Sequence, residues 1–455
     1  MIKTRFAPSP TGYLHIGGLR TALFNFLYAR ANGGEFLLRI EDTDFNRNSI
    51  DATNAIIEAF KWVGMDYDQE IVYQSKRINI YKKYIDILLE KNLAYYCYMT
   101  KEELDSLRET QKKEGKTPRY DNRYRDFKGI PPSGVKPVVR IKIPLESSII
   151  FNDALKGRIE INTKEMDDYI IMRSDGTPTY NFVVAIDDAL MGISDIIRGD
   201  DHLTNTPKQI IIYQALDFKI PNFCHIPMIL NPQGKKLSKR DGALNVMEYK
   251  EMGILPEALL NFLLRLGFSY KDKEIFSMEE MIDLFTLKNL STSASAYNET
   301  KLLWLNNHYI KNAPNSRLEN LLNINLNLES AKKEVLFKEL KDRSNTIIEF
   351  KEMLDSIFKI PESYEQKMLS KIDNQTKELL NNAIESITNF NDLESISQTL
   401  HHFATTNDIK IGKILTALRC AILGKNGGIG VNELIFILGK DEILKRIEKF
   451  LTQNR

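Results

Sequence analysis

The chain has 455 residues, 43% hydrophobic and 27% charged, and a net charge of +1, which is the composition of a globular protein too long for one core. No apolar run approaches the roughly 20 residues that a bilayer span requires, and no signal peptide is legible. Three isolated cysteines, Cys97, Cys224 and Cys420, argue against a disulfide framework and for a reducing cytoplasm.

Strand and helix alternate through the first 90 residues. Strands are predicted over 3–7 and 35–40, and helices over 17–32, 49–63 and 76–91. This alternation indicates βαβ units on a parallel sheet. The rhythm breaks over 93–171, where a charged helix (101–113), the stretch Gly129-Ile-Pro-Pro-Ser-Gly134 and short strands (138–143, 158–162) read as an α+β insertion. Between Arg108 and Lys142, 11 Lys/Arg stand against 4 Asp/Glu, interleaved with Tyr120, Tyr124 and Phe127. Such a segment suits a phosphate backbone, and equally a solvated surface.

The sheet is expected to resume with strands 180–186 and 195–198, helix 206–216 and strand 224–229. From Pro256 onward helix follows helix, with Pro314 a natural hinge. The expected fold is α/β, a Rossmann-like doubly wound parallel sheet split by the insertion and followed by a mainly α-helical C-terminal region. The division is 1–92 and 172–232 for the two sheet halves, 93–171 for the insertion, 233–313 for a basic loop and its helices, and 314–455 for the helical end.

Two stretches carry chemistry. Arg5-Phe-Ala-Pro8-Ser9-Pro-Thr-Gly-Tyr-Leu-His15-Ile-Gly17-Gly18 reads as strand, proline-rich turn, histidine, then two glycines opening a helix. That layout presents backbone N–H groups to an anion with no Cβ in the way. The second, Lys236-Leu-Ser238-Lys239-Arg240, is a cationic loop able to hold polyphosphate as charge develops. Taken alone, the first is an ordinary turn and the second an ordinary solvated surface. As an ordered pair they resemble the two ATP signatures of class I aminoacyl-tRNA synthetases.

Three charged residues bear on the substrate. Glu41 ends its strand in Arg39-Ile-Glu-Asp-Thr-Asp44 and can accept an ammonium, while Arg5 and Arg198 offer two guanidinium forks for carboxylates. An amino acid with a second carboxylate fits this set better than a neutral one. Arg198 could instead pair with Asp200 or Asp201. Asp187 and Asp188, expected at a strand end, could help hold magnesium or simply be solvated.

Pro118-Arg-Tyr-Asp121, Pro178-Thr-Tyr180-Asn-Phe182, Ile197-Arg198-Gly-Asp-Asp-His202 and Asn205-Thr-Pro-Lys-Gln209 extend the likeness. Over nearly its whole length the chain looks like a bacterial-type glutamyl-tRNA synthetase. The resemblance implies ATP-dependent attachment of L-glutamate to tRNA through a glutamyl-adenylate, with tRNA bound before activation. It implies Arg5, Ser9, Glu41, Tyr180 and Arg198 around glutamate, and His15, Gly17, Gly18, His202, Lys236, Ser238, Lys239 and Arg240 around ATP. His15, Lys236 and Lys239 would be catalytic, and Mg2+ would travel with the nucleotide. The insertion would bind the acceptor stem and the helical end the anticodon, in a monomer. Many relatives hold zinc in the insertion, but Cys97-Tyr-Met99 and Tyr124-Arg-Asp126 retain one ligand of four, so no structural zinc is expected.

The rival readings are a glutaminyl-tRNA synthetase, disfavoured by the Arg198 fork, and a glutamyl-queuosine tRNA enzyme, disfavoured by the helical end. A non-catalytic tRNA-binding paralogue is disfavoured by the retained lysines, and a small-molecule adenylyl transferase has no use for residues 314–455. The sequence does not separate tRNA-Glu from tRNA-Gln as the tRNA charged.

Overall fold

The structure is a computed structural model that describes residues 1–44, 48–237 and 244–453. The chain divides into two units, 1–249 with 259–298, and 250–258 with 299–455. No helix among the described residues is long and apolar enough to cross a membrane.

The first unit begins with Lys3–Phe6 (β1), Ile16–Ala31 (α1), Glu35–Ile40 (β2), Ile50–Val63 (α2) and Val72–Tyr73 (β3). β1 pairs in parallel with β2, and β2 with β3, as the alternation predicts. Ser49 caps α2 through a bond from Ala52 N, and Gly64 ends it in the left-handed conformation that glycine adopts without strain.

Next come Ile78–Glu90 (α3), Ala94–Cys97 (β4), Lys101–Lys113 (α4), Val138–Ile141 (β5), Ser148–Asp153 (β6), Gly157–Asn162 (β7) and Ile170–Met172 (β8). Tyr180–Leu190 (α5), Asp195–Gly199 (β9), Thr206–Ala215 (α6) and Asn222–Ile226 (β10) follow. α4 opens with a capping box between Thr100 and Glu103. β4, β5 and β8 form a small antiparallel sheet. The β6–β7 hairpin behaves differently, since β6 pairs in parallel with β10, and β10 with β9.

The two parallel sheets meet at Lys3, whose N donates to Ser194 Oγ (2.8 Å) and whose O accepts from Ser194 N (2.9 Å). The strands therefore run β3-β2-β1-β9-β10-β6-β7. Chain direction of winding reverses between β1 and β9, which is where a doubly wound sheet opens a crevice at its carboxyl ends.

One predicted element is wrong. Residues 180–186 form the start of α5, not a strand. Phe182, Val183, Val184, Ala185 and Ile186 are all buried, and a short apolar run buried all round has no period to separate helix from strand. The helix packs with α3 and α6 over a core that includes Tyr81, Ile196, Ile210 and Phe223.

In the second unit, ten helices follow Glu299, from Glu299–Asn312 to Lys440–Gln453, with no strand among the described residues. Two of their buried polar side chains are tied to several partners each. Asn306 accepts from Leu255 N (2.7 Å) and donates to Gly253 O and Asn345 O, and Arg446 reaches Glu442, Ile422 O and Phe358 O.

Candidate active site

α1 starts at the switch point because of what surrounds its first turn. His15 is its cap, with Nδ1 accepting from Gly18 N at 3.2 Å. A Cβ on Gly17 would come within 3.1 Å of the His15 ring, and one on Gly18 within 2.8 Å of Leu14 Cδ1, so a side chain at either position would crowd the start of the helix. Asn25 anchors the helix over the sheet, donating to Ile197 O (2.8 Å) while its own O accepts from Thr4 Oγ1. The proline-rich turn is tied down by Glu41 N to Pro8 O (2.9 Å) and Ser49 N to Pro10 O (3.1 Å).

A cavity of about 350 Å³ opens here, lined among others by Arg5, Ser9, His15, Gly17, Gly18, Glu41, Tyr180, Arg198, His202 and Lys236. Those are ten of the thirteen site residues expected from sequence. Ser238, Lys239 and Arg240 lie outside the described residues. Lys236 is returned to the cavity by a turn in which Asn231 Oδ1 accepts from Gln233 N and Lys235 N, and Leu237 N bonds Ile229 O. Its Nζ meets Asp201 Oδ2 at 3.3 Å in an exposed pair, an interaction weak enough to be exchanged for a ligand.

On the other wall, buried charges form a chain. Arg5 donates to both oxygens of Asp188 (3.0 and 3.3 Å), Arg39 donates to Asp188 Oδ1 (2.7 Å), and Arg39 also reaches Glu41 Oε1 (3.2 Å). Burial alone would raise the Asp188 carboxyl, but Arg39 and Arg5 outweigh it and hold the group below its ordinary range. Glu41 goes the other way, pushed up by burial against the pull of Arg39 and Arg5. A further cation at its free oxygen would favour the charged form.

The alternative roles for the two aspartates are excluded by this arrangement. Asp187 and Asp188 are on α5 and buried, and Asp187 is taken up by Arg77 Nε (2.8 Å), Gln74 (2.9 Å) and Tyr81 OH (2.7 Å). Neither is solvated or open to a magnesium ion. Among the described residues no cluster of His, Cys, Asp or Glu is arranged to hold a metal.

Arg198 does not pair with Asp200 or Asp201 either. It is 5% exposed and donates to three uncharged acceptors, His225 Nε2 (3.1 Å), Gln209 Oε1 (2.9 Å) and Thr206 Oγ1 (2.7 Å). Burial, with Arg5 nearby, lowers its pKa. Tyr180 and His202 close the cavity beside it, OH to Nδ1 at 3.1 Å. Burial, then Arg198, lowers the His202 pKa.

His225 and its partner Asp153 gave no motif to read. The available signal was a lone histidine in the apolar segment Phe223-Cys-His-Ile226, since a fully buried imidazole needs partners for both nitrogens.

Comparison with known proteins decides the family. The description "tRNA synthetases class I (E and Q), catalytic domain" matches residues 1–304. The chain belongs to this class I synthetase family. A second description, "Anticodon binding domain", matches residues 278–451. Glutamate–tRNA ligase 1 of Helicobacter hepaticus is 62% identical over 455 residues, spanning 99% of this chain and 98% of the relative. Glutamate–tRNA ligase 2 of Helicobacter acinonychis is 59% identical over 464 residues, spanning 99% of each. A crystal structure of a glutamate tRNA ligase from Elizabethkingia meningosepticum, in complex with its amino acid, superposes with a TM-score of 0.90 at 32% identity over 100% of both chains. The cavity thus sits in the synthetase catalytic domain at the crevice where the fold places its ligands.

Proposed function

We propose that the protein attaches L-glutamate to tRNA at the expense of ATP. The carboxylate of glutamate attacks the α-phosphorus, pyrophosphate leaves, and the terminal adenosine hydroxyl of tRNA then takes the glutamyl group as AMP departs. The observation that carries the reading is the buried Arg198, without an acidic partner among the described residues, beside Arg5 and Glu41 in one cavity with His15 and Lys236.

Each residue has a task that its setting supports. Glu41 takes the ammonium, Arg198 the side-chain carboxylate, and Arg5, fixed by Asp188, faces the same cavity, with Ser9 and Tyr180 completing the wall. His15, Gly17 and Gly18 receive the triphosphate at the start of α1, and His202 borders the nucleotide. Lys236, with Lys239, Ser238 and Arg240 of the second signature, follows the β- and γ-phosphates into the transition state. Mg2+ enters on the nucleotide.

No structural zinc fits the insertion. Cys97 packs with Tyr95, Met99 and Tyr120, and the rings of Tyr98, Tyr124 and Phe127 pack on one another at 5.1–6.2 Å. Arg125 is engaged by Asp168.

The sheet halves 1–92 and 172–232, the acceptor-binding insertion 93–171, the stem-contact region 233–313 and the anticodon-binding region 314–455 are the division we propose, in a monomer. Three buried unpaired thiols suit the cytoplasm. Charging of tRNA-Gln alongside tRNA-Glu is part of the proposal to be tested by charging each tRNA separately. ATP–pyrophosphate exchange with tRNA present, glutamate against glutamine, tests the substrate: a glutamine preference rejects it.

A further inference from the structure

Arg198 and His225 are direct neighbours on the parallel strands β9 and β10, and Asp153 ends the next strand, β6. A guanidinium has five N–H bonds. Three are spent on His225, Gln209 and Thr206, which leaves one on each terminal nitrogen, spaced for the two oxygens of a carboxylate. Phe223 supports the plane from below, with the Arg198 Cζ 5.7 Å from its ring centroid.

The bond from Arg198 Nε requires His225 Nε2 to be an acceptor, and a neutral imidazole has only one. Which nitrogen that is depends on what the other meets. His225 Nδ1 lies 2.6 Å from Asp153 Oδ2, and a carboxylate can only accept. Asp153 is itself fixed by backbone N–H bonds from Leu155, Lys156 and His225. The proton therefore sits on Nδ1 and the lone pair on Nε2, where Thr206 Oγ1 also approaches at 3.0 Å. The other tautomer would set N–H against N–H and push the guanidinium away.

We infer that Asp153 and His225 are specificity-determining positioning residues, holding Arg198 so that its two remaining N–H bonds select a side-chain carboxylate over an amide. The inference rests on the glutamate reading above. Neither residue touches the reacting atoms, so their effect falls on the amino acid and not on ATP.

Four variants test it in ATP–pyrophosphate exchange and tRNA charging beside the wild type. His225→Phe keeps the stacking on Phe223 but removes both nitrogens. Asp153→Asn keeps an acceptor for the turn but offers Nδ1 an N–H, which inverts the tautomer. His225→Gln returns an amide oxygen near the Nε2 position, whereas His225→Asn reaches only the Nδ1 position. Loss of a hydrogen bond to a charged group predicts a rise in glutamate KM of about tenfold or more for Phe, Asn at 225 and Asp153→Asn. The glutamate-to-glutamine ratio of kcat/KM falls with it, ATP KM stays within about twofold, and His225→Gln recovers most of the loss.

Equal glutamate KM for His225→Gln and His225→Asn, two polar changes of similar burden on folding, overturns the relay. So does an ATP KM that rises in step with that for glutamate. A wild type that prefers glutamine sinks the substrate reading and the relay together, whereas a glutamate-specific wild type with unresponsive variants sinks the relay alone.

Discussion

Arg5 and Asp188, 183 residues apart in sequence, are joined by two hydrogen bonds of 3.0 and 3.3 Å with both side chains buried. Asp188 serves Arg39 as well, so one carboxylate orients two guanidiniums. Asp188→Asn leaves both cations under-compensated. Removing one partner of a buried pair costs about 3–5 kcal/mol, and denaturant unfolding is expected to register a loss of that order together with a raised glutamate KM. Unfolding free energy unchanged to within about 1 kcal/mol would show that the pair has no such weight.

The acid limb of stability follows from the same group. Asp188 is held below its ordinary 3.8 against its own burial by Arg39 and Arg5, and Asp153, also against burial, by its bond to His225 and by backbone N–H groups. Acids depressed on folding contribute fully above their unfolded value and lose that contribution as pH falls through the folded one. Unfolding free energy should therefore drop as pH falls below about 4, more steeply in the wild type than in Asp188→Asn. Denaturant titrations over that range that give parallel curves for the two proteins would show that Asp188 carries none of this dependence.

Arg198→Lys keeps a charge and discards the fork. Because a bidentate site does not accept lysine as an equivalent, glutamate KM is expected to rise about tenfold or more, with ATP KM little changed. Steady-state exchange assays that find both constants unaltered would remove Arg198 from amino-acid recognition.

Lys236→Ala should slow adenylate formation roughly a hundredfold, the scale of losing one transition-state donor. Thermal stability should hold, because the pair with Asp201 is exposed. Single-turnover kinetics that match the wild type would transfer the role to other groups.

Much of the fold could be read from periodicity and glycine placement: β2 and α4 occur at their expected bounds, and α1 within a residue. Where the sheet was misjudged, at 180–186, the cause was burial on every side, which erases the contrast that period-reading needs. The shared cavity of Arg5, His15, Glu41 and Arg198 was legible because each residue type has few reasons to occur where it stands. The site was illegible where function depends on who meets whom: that Asp188 would serve Arg5 follows only from the packing of α5 on the sheet, and that Asp153 would set His225 only from strand order. β6, the strand that delivers Asp153, was not predicted at all.

Arg5, Arg39 and Arg198 bring three positive charges to a wall that Glu41 and Asp188 answer with two negative ones. An unfilled pocket is therefore an anion trap, and small carboxylates in a buffer, acetate or malonate for instance, become competitors of the amino acid. Apparent affinity for glutamate will then vary with the choice of salt even at constant ionic strength.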